Sequence, residues 1–382
     1  MTKHSSDHPG KALFSRRLFL TSSMAFGAAA CSREHDLFDI PTDPPLTQAD
    51  VATRSHRIYI ITTRRLSENP AEFYSGKRDA NLNFAAVDVV IPPNHQPGKV
   101  ERAKQAPPDP NKHFVITNAN VYPNRSDFVA DYNGAARALP RGKRNGLLWV
   151  HGYNNTLTDA VLRLAQFVED SGYEGVPFLY SWASQAKITG YVYDMNSALI
   201  ARDWLEEVPK LVSRSDLEGL DLVAHSMGNF VTMEAVRGVA GRGLFDSSGK
   251  LRNIILASPD IDIDLFAQQL KKIPPENRRF FVLTSADDRA LATSELIARN
   301  PRVGQLNADA LTKLGVNVID LSQVKDTSSV HHTKFVDSPE IVQLLGNRVL
   351  AGDSFSENSG RGLGAGFVAG AGGALITADE AL

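Results

Sequence analysis

The chain has 382 residues, 42% hydrophobic and 22% charged, with a formal charge of −2 and a single cysteine. These fractions exclude a wholly disordered or fibrous chain, and the balanced charge gives no field that would gather nucleic acid. One cysteine also excludes an internal disulfide framework and any thiolate cluster for a metal.

In chain order, the first segment is a leader over residues 1–30. Lys3, Lys11, Arg16 and Arg17 precede an apolar and small-residue run from Leu18 to Ala30, shorter than the roughly 20 residues that span a bilayer. A basic stretch, a short apolar run and a small-residue end are the parts of an export signal. Arg16-Arg17-Leu18-Phe19-Leu20 resembles the twin-arginine signal of proteins exported already folded. Ala28-Ala29-Ala30-Cys31 resembles the lipobox of bacterial lipoproteins. That resemblance implies an acylated Cys31 as the new N-terminus, with the membrane as partner through a lipid anchor. The implied location is the cell envelope, facing the periplasm, and Ser32 leans toward the outer membrane. Loss of residues 1–30, which carry four basic side chains and Asp7, takes the charge from −2 to −5. Residues 31–53 hold Pro41, Pro44, Pro45 and several acids without an apolar period, and read as a tether.

The body, residues 54–350, begins with β-rich runs over Arg57–Thr62 and Phe84–Ile91, with no helical pattern between them. Residues 92–112 hold six prolines and read as loop. Predicted strands follow at Leu147–His151, Pro177–Ser181, Leu220–Ala224, Asn253–Ala257, Phe280–Thr284 and Val316–Leu321. Amphipathic helical patterns separate them, near 156–170, 195–213, 227–240, 263–271, 289–299 and 339–348. The alternation predicts an α/β fold with a mostly parallel central sheet, helices on both faces and an antiparallel N-terminal edge. Only about 20 residues separate Ser258 from Arg278, too few for a large lid, so segment 66–145 is the expected roof of a rather open pocket. The tail over 351–382 is rich in Gly and Ala and reads as flexible.

The chemistry concentrates at Leu222-Val223-Ala224-His225-Ser226-Met227-Gly228-Asn229. An apolar strand enters a serine flanked two residues away by Ala224 and Gly228, and a helix leaves it. This is a G-x-S-x-G nucleophile elbow with alanine in the first glycine position. Small residues are required there because backbone packs against the sharp turn. The amide of Met227, at the helix N-terminus, is one candidate donor to a developing oxyanion. The second is the amide of Tyr153, after the strand end His151-Gly152. Ser226 needs a base, and the only later histidines are His331 and His332, with His332 preferred. The base needs a carboxylate. Asp288, after the strand Phe280–Thr284, is preferred to its neighbour Asp287 and to Asp260. The order Ser, Asp, His is that of the α/β-hydrolase arrangement. Trp182, Tyr191 and Tyr193 are candidates for an apolar wall around the acyl group. His151 and His225 lack any metal-ligand spacing and are expected to line or buttress the site, so neither metal nor cofactor is expected.

Several further stretches join these motifs: Thr62-Thr63-Arg64, Val90–His95, Val150–Asn155, Tyr180-Ser181-Trp182, Gly190-Tyr191 with Asp194, Pro259–Asp262, Asp288–Leu291, and His332 with Ser338-Pro339. Over about residues 57–348 the chain thereby resembles bacterial α/β-hydrolases of unknown function with esterase- or lipase-like features. The resemblance implies Ser226 as nucleophile, Asp288 as acid and His332 as base. The Ser-Pro pair six and seven residues after the histidine selects His332 over His331. Where that family often has proline after the tryptophan, Ala183 follows Trp182. The implied substrate is a small-molecule ester. Other readings of the same residues are an amide or thioester hydrolase, or a silent hydrolase fold serving as a binding lipoprotein. For the N-terminus, Cys31→Ser should abolish incorporation of labelled fatty acid and release the protein from membranes. Undiminished labelling in that variant would refute the anchor.

Overall fold

Runs of β-branched and aromatic residues become strands close to the predicted positions. The structure, a computed structural model, describes residues 36–325 and 330–350, with the backbone of Phe367–Ala369 and Leu375–Ile376. The export signal and Cys31 lie outside the described residues, as does most of the tail. A short helix α1 (Gln48–Arg54) leads into a long antiparallel pair, β1 (Ser55–Leu66) and β2 (Tyr74–Val90), followed by β3 (Val115–Tyr122) and α2 (Arg125–Ala138). Strand and helix then alternate: β4 (Asn145–Val150), α3 (Leu157–Ser171), β5 (Val176–Ser181), α4 (Tyr191–Leu205), α5 (Val208–Ser213), β6 (Gly219–His225), α6 (Met227–Gly241) and β7 (Leu251–Ala257). The rest comprises α7 (Ile263–Leu270), β8 (Phe280–Thr284), α8 (Arg289–Ala298), α9 (Ala308–Thr312), β9 (Asn317–Asp320), α10 (Lys334–Asp337) and α11 (Pro339–Leu344). Two short strands, β10 (Phe367–Ala369) and β11 (Leu375–Ile376), close the series.

One sheet runs in the order β11-β10-β9-β8-β7-β6-β4-β5-β1-β2-β3. Every neighbour from β9 through to β1 is parallel, while β2 and β3 add antiparallel strands at one edge and β10 and β11 at the other. The register places Ile61, Tyr180, Val150, Ala224, Leu256, Val282 and Val318 in a single row across the sheet. Whatever follows these residues emerges along one edge, where open α/β sheets bind ligands. Both faces of the sheet carry a buried apolar layer, so the central strands are mainly apolar, as parallel strands covered on both sides are.

Three expectations are corrected. Segment 66–145 does not roof a pocket: it supplies β2, β3 and α2, which extend the sheet. The reason is aromatic packing, since Phe128 and Tyr132 of α2 meet Tyr59, Phe84 and Phe178 with ring centroids 4.9–5.8 Å apart in the Tyr59–Phe128, Phe84–Phe128 and Tyr132–Phe178 pairs. The expected tether is anchored to the core at Leu37 and Phe38 and carries a short helix. Leu37 and Phe38 are buried, Phe38 tilts against Phe73 at 5.2 Å, and a capping box between Thr47 and Asp50 starts α1. The tail, expected to be free of packed structure, pairs Val368 with Ile319 at the edge of the sheet.

The proline-rich loop is fastened to α3 by His95. Its Nδ1 lies 2.7 Å from Glu101 Oε2 and its Nε2 2.8 Å from Asp170 Oδ1, and an imidazole that donates from both nitrogens is protonated. Burial alone would lower its pKa, but the hydrogen bonds to Asp170 and Glu101 outweigh that and hold it above the ordinary 6.5. A raised folded pKa makes this stabilisation complete below about pH 6.5 and lost as pH rises through the folded value. Urea unfolding of the wild type and His95→Ala should therefore show a stability gap that shrinks from about pH 5.5 to about pH 8.5. A gap independent of pH would refute the clamp.

Candidate active site

The elbow forms where β6 stops and α6 begins. Ser226 adopts φ 53° and ψ −124°, a left-handed backbone that costs a non-glycine residue on the order of 1–3 kcal/mol. The surroundings enforce it. Ser226 N–H donates to Ala257 O (3.0 Å), and the Ser226 carbonyl accepts from Asn229 Nδ2 (3.0 Å) and from the Asp260 amide (3.3 Å). Asn229 also donates to Ala257 O at 2.8 Å, so one buried amide side chain ties the elbow to β7. Positive φ recurs at Asn154, Ser258 and His331, each in a turn at this edge of the sheet.

The turn after β4 presses directly on the elbow. A Cβ on Gly228 would come within 2.5 Å of His151 O and 2.6 Å of Val150 O, and one on Gly152 within 2.9 Å of Ser226 Cβ. Among the described residues, neither the Tyr153 nor the Met227 amide donates to another backbone group, and a first-turn helical N–H has no intrahelical partner. Both amides expected to meet an oxyanion therefore lack a backbone acceptor among the described residues.

His332 and Asp288 are brought together as expected. His332 Nδ1 lies 2.7 Å from Asp288 Oδ2, and the other carboxylate oxygen of Asp288 accepts the Leu291 amide at 3.0 Å, which makes Asp288 the N-cap of α8. His332 is anchored through its backbone: its carbonyl accepts from Ser258 Oγ (3.2 Å) and from His225 Nε2 (3.3 Å). The His225 ring packs 4.7 Å from that of His332 and 5.0 Å from Phe335, and burial holds it neutral, its pKa far below the ordinary imidazole range. The two rejected carboxylates are engaged elsewhere. Asp287 pairs with buried Lys334 Nζ at 2.7 Å. Asp260 accepts from Ser294 Oγ (2.6 Å) and Tyr191 OH (3.3 Å), with Arg302 Nε 3.2 Å away. No hydrogen bond joins Ser226 Oγ to His332, and bonds of this kind commonly tighten only in a substrate complex.

The proposed acyl wall separates into two parts. Tyr191 sits at the site, its ring edge-on to Tyr153 at 5.4 Å. Trp182 is fully buried, stacked on His151 at 5.0 Å with its Nε1 donating to His151 O at 2.8 Å. The assignment of Trp182 to the substrate wall is thus corrected, because a ring without accessible surface supports the turn and meets no ligand. Tyr193 turns away toward Arg78, which lies over its ring at 3.9 Å. His151 buttresses as expected, and burial together with the nearby Arg64 cation lowers its pKa to about 3. Asn229 and Asp194 belong to motifs whose sequence assigns them no role. Asp194 is buried and accepts from Ser184 Oγ (2.6 Å), the Gln185 amide (2.8 Å) and the Asn154 amide (3.4 Å), which fixes the loop behind the turn after β4. Among the described residues no group of three His, Cys, Asp or Glu could hold a metal ion, and no helix is long and apolar enough to cross a membrane.

A serine at a strained elbow on the edge of a mostly parallel, helix-covered sheet defines an α/β-hydrolase. Residues 136–348 match the family described as alpha/beta hydrolase of unknown function (DUF900), and the chain belongs to that family. No curated protein sequence matches it. Among solved structures it is similar to a fungal esterase from Rhizomucor miehei, with 10% identity over 79% of this chain and 86% of the other and a TM-score of 0.36. It is likewise similar to a hyperthermophilic esterase from the archaeon Pyrobaculum calidifontis, with 12% identity over 81% and 84% and a TM-score of 0.36. At those scores the two structures carry no argument about this chain's chemistry. The contact between the turns makes its own prediction. Gly228→Ala should cost about 1–3 kcal/mol by overpacking, read as a lowered Tm, and a melting curve equal to the wild type would contradict the close approach.

Proposed function

We propose that this protein is a serine hydrolase that cleaves carboxylic esters through an acyl-enzyme on Ser226. The observation that carries the reading is the 2.7 Å pair of His332 Nδ1 with Asp288 Oδ2, on the sheet edge that also bears the elbow. In this reading His332 Nε2 removes the Ser226 proton as Oγ attacks the ester carbonyl. Asp288 holds the Nδ1–H tautomer and stabilises the imidazolium that forms. The amides of Tyr153 and Met227 receive the oxyanion in a site that need not reorganise as charge develops. His332 then protonates the departing alcohol, and the ester C–O bond breaks. Water, deprotonated by the same imidazole, attacks the acyl-enzyme, and the acid leaves as Ser226 regains its proton. Tyr191 is the residue we assign to the substrate wall. The leader and Cys31 add export and a lipid anchor, which would hold the enzyme at an envelope membrane facing the periplasm.

A fluorophosphonate probe on the mature protein tests the nucleophile. Labelling should vanish in Ser226→Ala, and kcat on p-nitrophenyl esters should fall by about 10²-fold to 10⁶-fold in His332→Ala and Asp288→Asn. Persistent labelling of Ser226→Ala would sink the assignment. A wild type inert toward the probe and toward esters, thioesters and anilides alike would identify a silent hydrolase fold.

A further inference from the structure

We propose that Arg64, acting through Ser181 and His151, is the positioning residue that aims the Tyr153 amide at the substrate's carbonyl oxygen. The inference rests on Ser226 being the nucleophile. Ile61 lies beside Tyr180, and Tyr180 beside Val150, on three adjacent parallel strands. The residues that follow, Arg64, Ser181 and His151, therefore emerge together at the edge that carries the elbow.

Arg64 is 1% exposed, and among the described residues no carboxylate forms an ion pair with it. A buried guanidinium is costly without partners, and here the partners are Ser181 at the end of β5, the loops after β4 and β5, and the Ser75 carbonyl of β2. Nε donates to Ser181 Oγ (2.8 Å), Nη1 to Ser184 O (3.1 Å) and Nη2 to Asn155 O (2.8 Å). Burial lowers its pKa to about 10, which leaves it a cation at neutral pH. Because Ser181 Oγ accepts from Arg64, its own proton is free to go to His151 Nε2, 3.2 Å away.

A neutral imidazole that accepts at Nε2 carries its proton on Nδ1, and Nδ1 lies 2.8 Å from Gly152 O. The opposite tautomer would donate Nε2 to Trp182 O at 3.1 Å. It would also turn Nε2–H toward the Arg64 Nη2 donor 3.4 Å away and set a bare Nδ1 lone pair against the Gly152 carbonyl. The chain of donors therefore runs Arg64, Ser181, His151, Gly152 O. In a trans peptide the C=O and the following N–H point in opposite directions. A Gly152 carbonyl drawn back onto His151 turns the Tyr153 N–H outward, and Gly152 itself packs against Ser226 Cβ. The arginine also leaves a positive charge behind the turn, with the sign that favours an oxyanion in front of it.

The test uses the mature protein with Ser181→Ala, which removes only the relaying hydroxyl, and Arg64→Lys, which keeps the charge but loses the fork. Each should lower kcat for p-nitrophenyl acetate by about 10²-fold, the loss typical of one oxyanion donor, with KM little changed. Inhibition by phenylboronic acid, whose serine adduct is tetrahedral, should weaken by the same factor as kcat/KM falls. A merely structural role would not produce that proportionality. If Arg64→Lys fails to fold, Ser181→Ala alone decides. Turnover and boronate inhibition that Ser181→Ala leaves at wild-type levels would overturn this inference only. Absence of Ser226-dependent turnover in the wild type would instead sink the hydrolase reading and this inference with it.

Discussion

Two backbone turns meet at the centre of this protein with no room for a side chain between them. The turn after β4 passes so close to the elbow after β6 that a methyl group at Gly228 would fall within 2.5 Å of His151 O. Van der Waals exclusion at that distance is absolute, so each turn sets the other's position. The strained Ser226 backbone persists because the Asn229 side chain and the β7 carbonyl over-determine it. In the proposed reading, the close approach of the two turns would hold the serine hydroxyl and the two amides in place before substrate arrives, the condition under which fixed dipoles are most effective.

Charge is distributed around this contact in two layers. Asp288 sits under His332, with one carboxylate oxygen for the imidazole and the other for the first turn of α8. Helix capping and histidine orientation use the same side chain, so the carboxylate cannot rotate away without uncapping the helix. Behind the β4 turn lies the second layer, a buried Arg64, a neutral His151 and a buried Asp194, whose hydrogen bonds go mostly to the backbone of two loops. Burying an arginine without a carboxylate in direct ion-pair contact is costly for stability. Its place behind the turn accounts for it better as a device that fixes loop geometry.

Much of the fold was legible because the central strands are apolar on both faces and the helices between them are amphipathic. β6 and β8 fell almost where Leu220–Ala224 and Phe280–Thr284 announced them. The first half of β2 was not legible, since Gly76 to Asn83 is polar and partly exposed. Strand geometry there comes from pairing with β1, not from local pattern. α2 was hidden for a related reason: its few large apolar residues, Phe128 and Tyr132 among them, gain their burial from aromatic partners far away in sequence. The stretch from Leu37 to Arg54 reads as a tether because prolines, acids and a largely exposed surface mask two core residues and one capping box.

The sequence by itself determined the chemistry on offer. A small-x-Ser-x-Gly elbow, a His-Gly turn upstream, and acids and histidines downstream are local patterns whose spacing follows from steric and helical rules. What only the tertiary structure decided was which of these groups meet. Asp287 and Asp288 are adjacent in sequence, yet one faces Lys334 and the other His332, because the capping geometry of α8 turns their side chains in different directions. Trp182 could be placed near the site from sequence, but not on the buried side of His151. Arg64 stood at the end of an apolar run with nothing local to give it a role. Ser181, Ser184 and Asn155 lie at or just beyond the ends of two other strands, and the register of the parallel sheet brings them within hydrogen-bonding distance of it.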